Sequence, residues 1–576
     1  MTFGFLIFTF YFSKMKTIKI ILLIICPLSA YAQFTGRSEM RDVIQQYQAD
    51  VTSLNHKYEI KESDEYYSRF DLFYNDWLKK LKALPFESMS QDGKVDYVLL
   101  RNRIEKDVSD LQQKKNDFAQ IQSVIPFANK IVSLVQQRRV GAQLNGEQTA
   151  KTFNDIKKEI QSTQKEIEKQ PKFTERLSKK SVVTVQDYRK AFNELFSFYN
   201  EYDPQFTWWT NTAHVELDTA FSQYIKFLKS WRVVGKDDGS GIIGNPIGKD
   251  EIVKSLQAEF IAYSPEELVD IANKEFAWCE KEMLKASAEM GFGNDWKKAL
   301  EKVKDDHVEV GKQPELAWFL ANEAVEFLKK NDLVTVPDLA NEDWRMTMLS
   351  AQQQRYAPFF LGGDDILIAY PTSTMSYEDR MMSIRGNNKH FSRAVVFHEL
   401  IPGHHLQGYM NDRYNTQRQF FYTPFWLEGN AVYWEMVLWD KNFPKSPEDK
   451  VGMLFWRMHR CARIIFSLNY HMNIWTPQQC IDFLVDKVGH ERANAAAEVR
   501  RSFTGGYGPL YQIAYMIGAK EFYALRKELV DSGKMKDKDF HDAILQNGPI
   551  PVEMVRALLT NQNLSRDYKT SWKFRE

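Results

Sequence analysis

The chain has 576 residues, 44% of them hydrophobic and 26% charged, an ordinary composition for a soluble globular protein with a large core. Lysine plus arginine (76) equals aspartate plus glutamate (76), so no global field draws nucleic acid or acidic lipid. Four cysteines without a CxxC pair argue against a disulfide-stapled fold and against a cysteine–metal cluster.

The first element is a targeting segment. Met15 to Lys19 supply a short basic start, Ile20 to Cys26 are continuously apolar, and Ala30-Tyr31-Ala32 place small residues at a cleavage site before Gln33. Residues 1–32 are therefore read as a signal peptide whose true start is Met15, and 33–576 as one domain. An uncleaved anchor is the alternative, because residues 1–12 are also apolar. Cys26 makes a poor lipidation site, since Ile25 stands where a small residue belongs. No later segment approaches the ~20 apolar residues of a membrane span. The expectation is an exported protein, periplasmic or secreted, with one disulfide left open among Cys279, Cys461 and Cys480.

From Met40 to Lys330 apolar residues recur at spacings of three and four between charged ones, as in Phe153 to Ile160, which predicts amphipathic helices. Gly235 to Gly248, rich in glycine, predicts a loop and a possible rim of a cleft. Ser264-Pro265-Glu266-Glu267 predicts a helix start, with serine at the N-cap and glutamate three positions on. Ile366 to Tyr370 is the best strand, bounded by Gly362-Gly363-Asp364-Asp365 and Pro371. Helix signals then continue nearly to the end. The fold class is mainly α, with a small sheet near the centre.

His398-Glu399-Leu400-Ile401-Pro402-Gly403-His404-His405 carries the chemistry. In HExxH two histidines four apart share a helix face and bind zinc, while the glutamate activates water. Here Pro402 stands at the fourth position, and the histidines follow at six and seven. Proline removes a helical hydrogen bond and glycine frees the backbone, so a bulged turn could absorb two residues and return His404 to the metal. An unbroken helix would favour His405 instead, about 20° from His398 but roughly 10 Å along the axis. His404 is preferred on condition of the bulge. Glu428, isolated in the apolar run Trp426 to Trp434, is the candidate third ligand, because an unpaired carboxylate there is costly. Glu435, on the same face, is placed to hydrogen-bond a ligating histidine.

HExxPGHH with a downstream EGWA-like segment resembles an uncharacterised bacterial family of zincin-like proteins, related to the glutamate-ligand metallopeptidases of the angiotensin-converting and thermostable carboxypeptidase types. The resemblance spans roughly residues 40 to 560. It implies a large helical zincin-like fold with a small sheet beside the active-site helix, one zinc ion on His398, His404 and Glu428, and Glu399 as general base. Arg463, His471 and Trp475 match a further family segment, with Met472 in place of a second histidine. Pro509, Tyr515 and Gly518 match a PGQAxxYxxG-like segment, with Leu510 and Tyr511 replacing its Gly and Gln. Asn430 replaces the Trp of EGWA.

The expected reaction is metal-assisted hydrolysis of a peptide. Glu399 accepts the proton of water, Tyr515 or His471 donates to the oxyanion, Arg463 helps bind substrate, and the strand ending at Tyr370 either pairs with an extended substrate or belongs to the core. Two other expectations stay open: hydrolysis of another amide, such as a cell-wall peptide fragment, and a binding protein with weakened chemistry. Exported material should begin at Gln33. N-terminal sequencing checks this, and an intact Met1 or Met15 terminus contradicts it.

Overall fold

The computed structural model describes residues 38–233, 238–354, 359–360, 362–363 and 365–574. The leader and its cleavage point lie outside the described residues. Up to Lys330 the chain is a succession of helices, as the periodicity predicts. In the helix Gly146–Ile167, Phe153, Ile156 and Ile160 are buried while the lysines between them stay at least partly exposed. Arg418 ties this half to the rest. It is fully buried and donates through Nε to Asp96 at 2.7 Å and through Nη2 to Asp92 at 2.7 Å.

The helix Pro265–Glu289 starts as its sequence dictates. The Ser264 hydroxyl accepts from the Glu267 N–H at 3.2 Å, and the Glu267 carboxylate accepts from the Ser264 N–H at 2.7 Å. The described part of the glycine-rich loop, from Asp238 to Gly248, forms no regular element. It packs on the far end of the Pro447–His471 helix, where the Gly248 N–H donates to the His471 carbonyl at 3.0 Å. It does not line the cavity described below, so its expected role as a cleft rim is not met there.

Six helices build the functional end: Lys389–Glu399, His404–Asn411, Pro424–Asp440, Pro447–His471, Arg492–Thr504 and Tyr511–Arg526. Pro424–Asp440 is apolar on nearly every face and sits inside the others, as a helix without a polar side must. It packs closely on Tyr511–Arg526 because Gly429 faces Gly518. A Cβ on either would overlap the other helix's backbone.

Strand β1 (Arg345–Met348) pairs in parallel with β2 (Asp365–Ile368), Met346 opposite Ile366. The expected strand is present but begins one residue earlier and ends at Ile368, so Tyr370 lies beyond it, its N–H held by Gln354 at 3.2 Å. Sequence reading missed β1 because it is only four residues long, largely exposed, and without β-branched or aromatic residues other than Thr347. Within β2 the side chains of Ile366 and Ile368 are buried in the core.

One contiguous set of buried apolar residues runs from Met40 to Phe574. Cys279, Cys461 and Cys480 are buried free thiols, so the disulfide left open by the sequence does not form among them. Among the described residues no helix is long and apolar enough to cross a membrane.

The helix that presents His398 is anchored at its first turn. Asn388 caps it, accepting from the N–H groups of His390 (3.0 Å) and Phe391 (2.9 Å). His390 lies between Asp449 (Nδ1 to Oδ1, 2.8 Å) and Asp306 (Nε2 to Oδ2, 3.0 Å). Burial opposes its protonation, but the two carboxylates outweigh it and raise the His390 pKa. A raised histidine contributes stability below its unfolded pKa and loses it as pH rises through the folded value. The stability lost in His390→Gln should therefore be larger at pH 6 than at pH 9, by paired denaturant titrations. An equal loss at both pH values would contradict the charged bridge.

Candidate metal centre

The His398 helix ends where Pro402 and Gly403 interrupt it. Leu400 makes the last regular bond, to the Val396 carbonyl at 2.9 Å. The next two bonds each span six residues: Gly403 N–H to the Phe397 carbonyl at 3.0 Å, and Leu406 N–H to the Leu400 carbonyl at 3.2 Å. A regular helix spans four, so the turn holds two extra residues. Gly403 packs so tightly on His398 that a Cβ there would overlap its carbonyl. The helix restarts at His404.

This break sets the two imidazoles together, with ring centroids 4.9 Å apart and planes at 90°. His405 turns away, its Nε2 at 2.8 Å from the Ala340 carbonyl and 3.0 Å from Asp343. Among the described residues, His398, Glu399 and His404 form the group of His, Cys, Asp and Glu side chains close enough to share a metal ion, their ligand atoms within 4.8 Å of one another. Glu428 joins them from the Pro424–Asp440 helix. Its Oε2 lies 3.5 Å from His398 Nε2 and 3.2 Å from His404 Nε2.

The protons on the rings are fixed by their outer partners. His398 Nδ1 donates to Glu435 Oε1 at 2.8 Å. His404 Nδ1 faces Gln407 Oε1 at 3.2 Å. Gln407 cannot present its amide N–H there, because Nε2 donates to the Leu427 carbonyl and to Asn430 Oδ1, both at 3.1 Å. Each Nδ1 therefore carries the proton, and each Nε2 lone pair points inward. Glu428 Oε2 is buried beside them with no hydrogen-bond partner. Three lone pairs thus converge, which is costly unless a cation joins them.

With no metal bound, the electrostatics favour a proton as that cation. Burial would raise Glu428, yet the facing histidines hold it well below the ordinary carboxylate range. Burial would lower His404, yet Glu428 above all pushes it up to about 9. The donor set suits zinc: two imidazole nitrogens and a carboxylate oxygen, with N–O separations near the edge of a tetrahedron with bonds of about 2.0–2.2 Å. Glu399 stands slightly apart, its Oε2 3.9 Å from His404 Nε2. Burial raises its pKa, only partly opposed by His398 and His404.

The centre opens into a cavity of about 430 Å³ whose lining includes Gly362, Gly363, Leu367, Glu399 and Glu428. Tyr515 lines it too, nearly parallel to the His398 ring with centroids 6.3 Å apart. Arg463 lines it as well, its guanidinium 4.4 Å from the Tyr515 ring centre. His471 is not brought there. It ends its helix two turns beyond Arg463, packed on Tyr470 and Phe503, and burial lowers its pKa to about 4. Trp475 packs on Phe483, and Tyr370 is likewise outside the lining.

Sequence reading missed Tyr511, whose hydroxyl donates to Glu428 Oε1, although it was noted as a replacement. It also missed Gln407, placed one helical turn after His404 and so legible by spacing. Arg460, Asn494, Glu498 and Arg501 line the cavity as well. The i,i+3 pairs Arg460/Arg463 and Glu498/Arg501 were the available signal.

The family described as "Bacterial protein of unknown function (DUF885)" matches residues 48–559. A solved structure from Shewanella oneidensis, titled a "putative lipoprotein of unknown function", superposes with a TM-score of 0.67 at 16% identity, covering 91% of this chain and 100% of that one. Another, titled "putative lipoprotein" from Colwellia psychrerythraea, gives 0.49 at 18% identity over 72% of this chain and 74% of that one. No curated protein matches.

His404→Ala should lose zinc by elemental analysis, while His405→Ala keeps it and loses roughly 1–3 kcal/mol of stability with its buried hydrogen bond. The reverse pattern would place the second imidazole on His405.

Proposed function

For a chain that belongs to the DUF885 family of bacterial proteins, we propose a zinc-dependent hydrolase that cleaves peptide bonds. The observation that carries this reading is the convergence of three donor atoms, His398 Nε2, His404 Nε2 and Glu428 Oε2, at the wall of a cavity that also holds a second, separate carboxylate, Glu399. We assign those three as ligands, with one zinc per chain. When bound there, zinc would polarise a carbonyl and acidify water.

Glu428 is preferred over Glu399 as the third ligand because its oxygen is nearer to the His404 nitrogen (3.2 against 3.9 Å) and has no other partner. Glu399 then serves as the general base. A pKa raised by burial suits a group that must take a proton from water and pass it to the leaving amine. Glu435 and Gln407 hold the imidazoles with their Nε2 atoms inward, and Tyr511 orients Glu428 from its other oxygen.

Tyr515 is the candidate oxyanion donor. Burial, then the Glu428 charge, lift its pKa far above the ordinary range, so its hydroxyl keeps the proton it must share. His471 has no place in this scheme. The cavity is within the size range of ligand sites. Leu367 puts β2 on its wall, so strand pairing with an extended substrate remains part of the proposal. Export follows from the leader, and the Shewanella structure's lipoprotein title fits that compartment.

Glu399→Gln keeps size and hydrogen bonding but removes the base. It should retain zinc and lose roughly 10²–10⁴-fold in turnover on whichever peptides the wild type cuts from a mixed library. Near-native turnover with full zinc would overturn the role of Glu399. Zinc binding without turnover in the wild type would overturn the hydrolase and favour a metal-containing binding protein.

A further inference from the structure

The cavity has a second polar wall that the hydrolytic scheme leaves unused. It comprises Arg463 on the Pro447–His471 helix, with Asn494, Glu498 and Arg501 on the Arg492–Thr504 helix. Arg463 Nε donates to Glu498 Oε1 at 2.7 Å, and Arg501 Nη2 lies 3.5 Å from Glu498 Oε2. Burial would raise Glu498, but the two guanidinium groups hold it down at about 2. Two fixed positive charges thus face one fixed negative charge. Neighbouring histidines add none, because burial, then the arginines, keep His459 far below its ordinary range. Arg460 faces Glu435 at 3.4 Å.

The excess charge has unused donors. The Arg463 side chain is 4% exposed, and its Nη1 has no partner. Arg501 Nε is also buried without one. A purely structural ion pair would satisfy such N–H groups, since a buried unmade hydrogen bond to a charged group is expensive. A guanidinium left open beside a cavity fits a ligand that brings the missing acceptor.

The ligand's chemistry follows from charge and reach. The wall carries one net positive charge, and Glu498 disfavours a dianion, so a single carboxylate suits it better than a phosphate. The Tyr515 ring is 6.3 Å from the His398 ring and 4.4 Å from the Arg463 guanidinium carbon. The arginine is therefore within roughly 11 Å of His398, a span of about three extended residues.

We propose that Arg463 and Arg501 form a subsite for the C-terminal carboxylate of a peptide, which confines cleavage to its last one to three residues. This rests on the hydrolase reading above and adds a substrate class to it: short peptides with a free carboxyl end. Arg463, sandwiched between Glu498 and Tyr515, sets the position of the end. Arg501, nearer the surface, supplies further charge.

The test uses the zinc-loaded full chain and one pool of ten-residue peptides, prepared both as free acids and as C-terminal amides. Products are read by mass spectrometry. Cuts should fall within the last three residues, and acids should be cut at least 10-fold faster than amides. Arg501→Gln and Arg463→Lys should each reduce that ratio toward one without loss of zinc. Internal cuts, equal rates on acids and amides, or a ratio unchanged in both variants would overturn the subsite while leaving the hydrolase intact. If neither form of the pool is cut, the hydrolase reading fails, and equilibrium dialysis of the same pool decides the subsite. Preferential retention of acids supports it, and equal retention overturns it.

Discussion

The functional end of the protein depends on three buried lone pairs pointed at one another. Glu428 is placed in the core by the apolar helix around it, and the two imidazoles are oriented with Nε2 toward it. No protein hydrogen reaches Glu428 Oε2 while both rings carry their proton on Nδ1. Much of the surrounding structure maintains this opposition. Glu435 and Gln407 fix the ring protons, and Leu427 and Asn430 fix Gln407. A cation is what relieves the arrangement: a proton on His404 does so in part, and a metal ion meets all three donors at once.

The break in the His398 helix belongs to the same design. Two extra residues in one turn bring a histidine six positions away to the place a regular helix gives to the fourth. This part was legible in the sequence, because proline and glycine have backbone consequences that follow from their covalent structure. Glu428 was legible for a related reason: an isolated carboxylate in an apolar helix demands an explanation. Helix starts such as Ser264 and the amphipathic faces before Lys330 could also be read locally.

What could not be read depends on neighbours distant in sequence. The end of β2 and the presence of β1 follow from pairing, which four largely exposed residues do not advertise. His471 looked as plausible as Tyr515 because both matched family segments. Only the packed helices show that His471 faces Tyr470 and Phe503 while Tyr515 lies against His398. The replacements at Asn430 and Tyr511 read as drift in the sequence. In the fold Asn430 accepts from the glutamine that orients His404, and Tyr511 holds Glu428, so each has a task at the centre. The arginine wall was likewise hidden: Arg463 and Arg501 come from different helices and meet only through Glu498.

The most direct test of the central claim is a crystal structure of zinc-loaded protein with anomalous data at the zinc edge. The account predicts one peak, bonded to His398 Nε2 and His404 Nε2 at about 2.0–2.1 Å and to a Glu428 oxygen at about 2.0–2.2 Å, with Glu399 outside bonding distance. A peak on His405, coordination through either Nδ1, or a zinc ion held by Glu399 in place of Glu428 would contradict it.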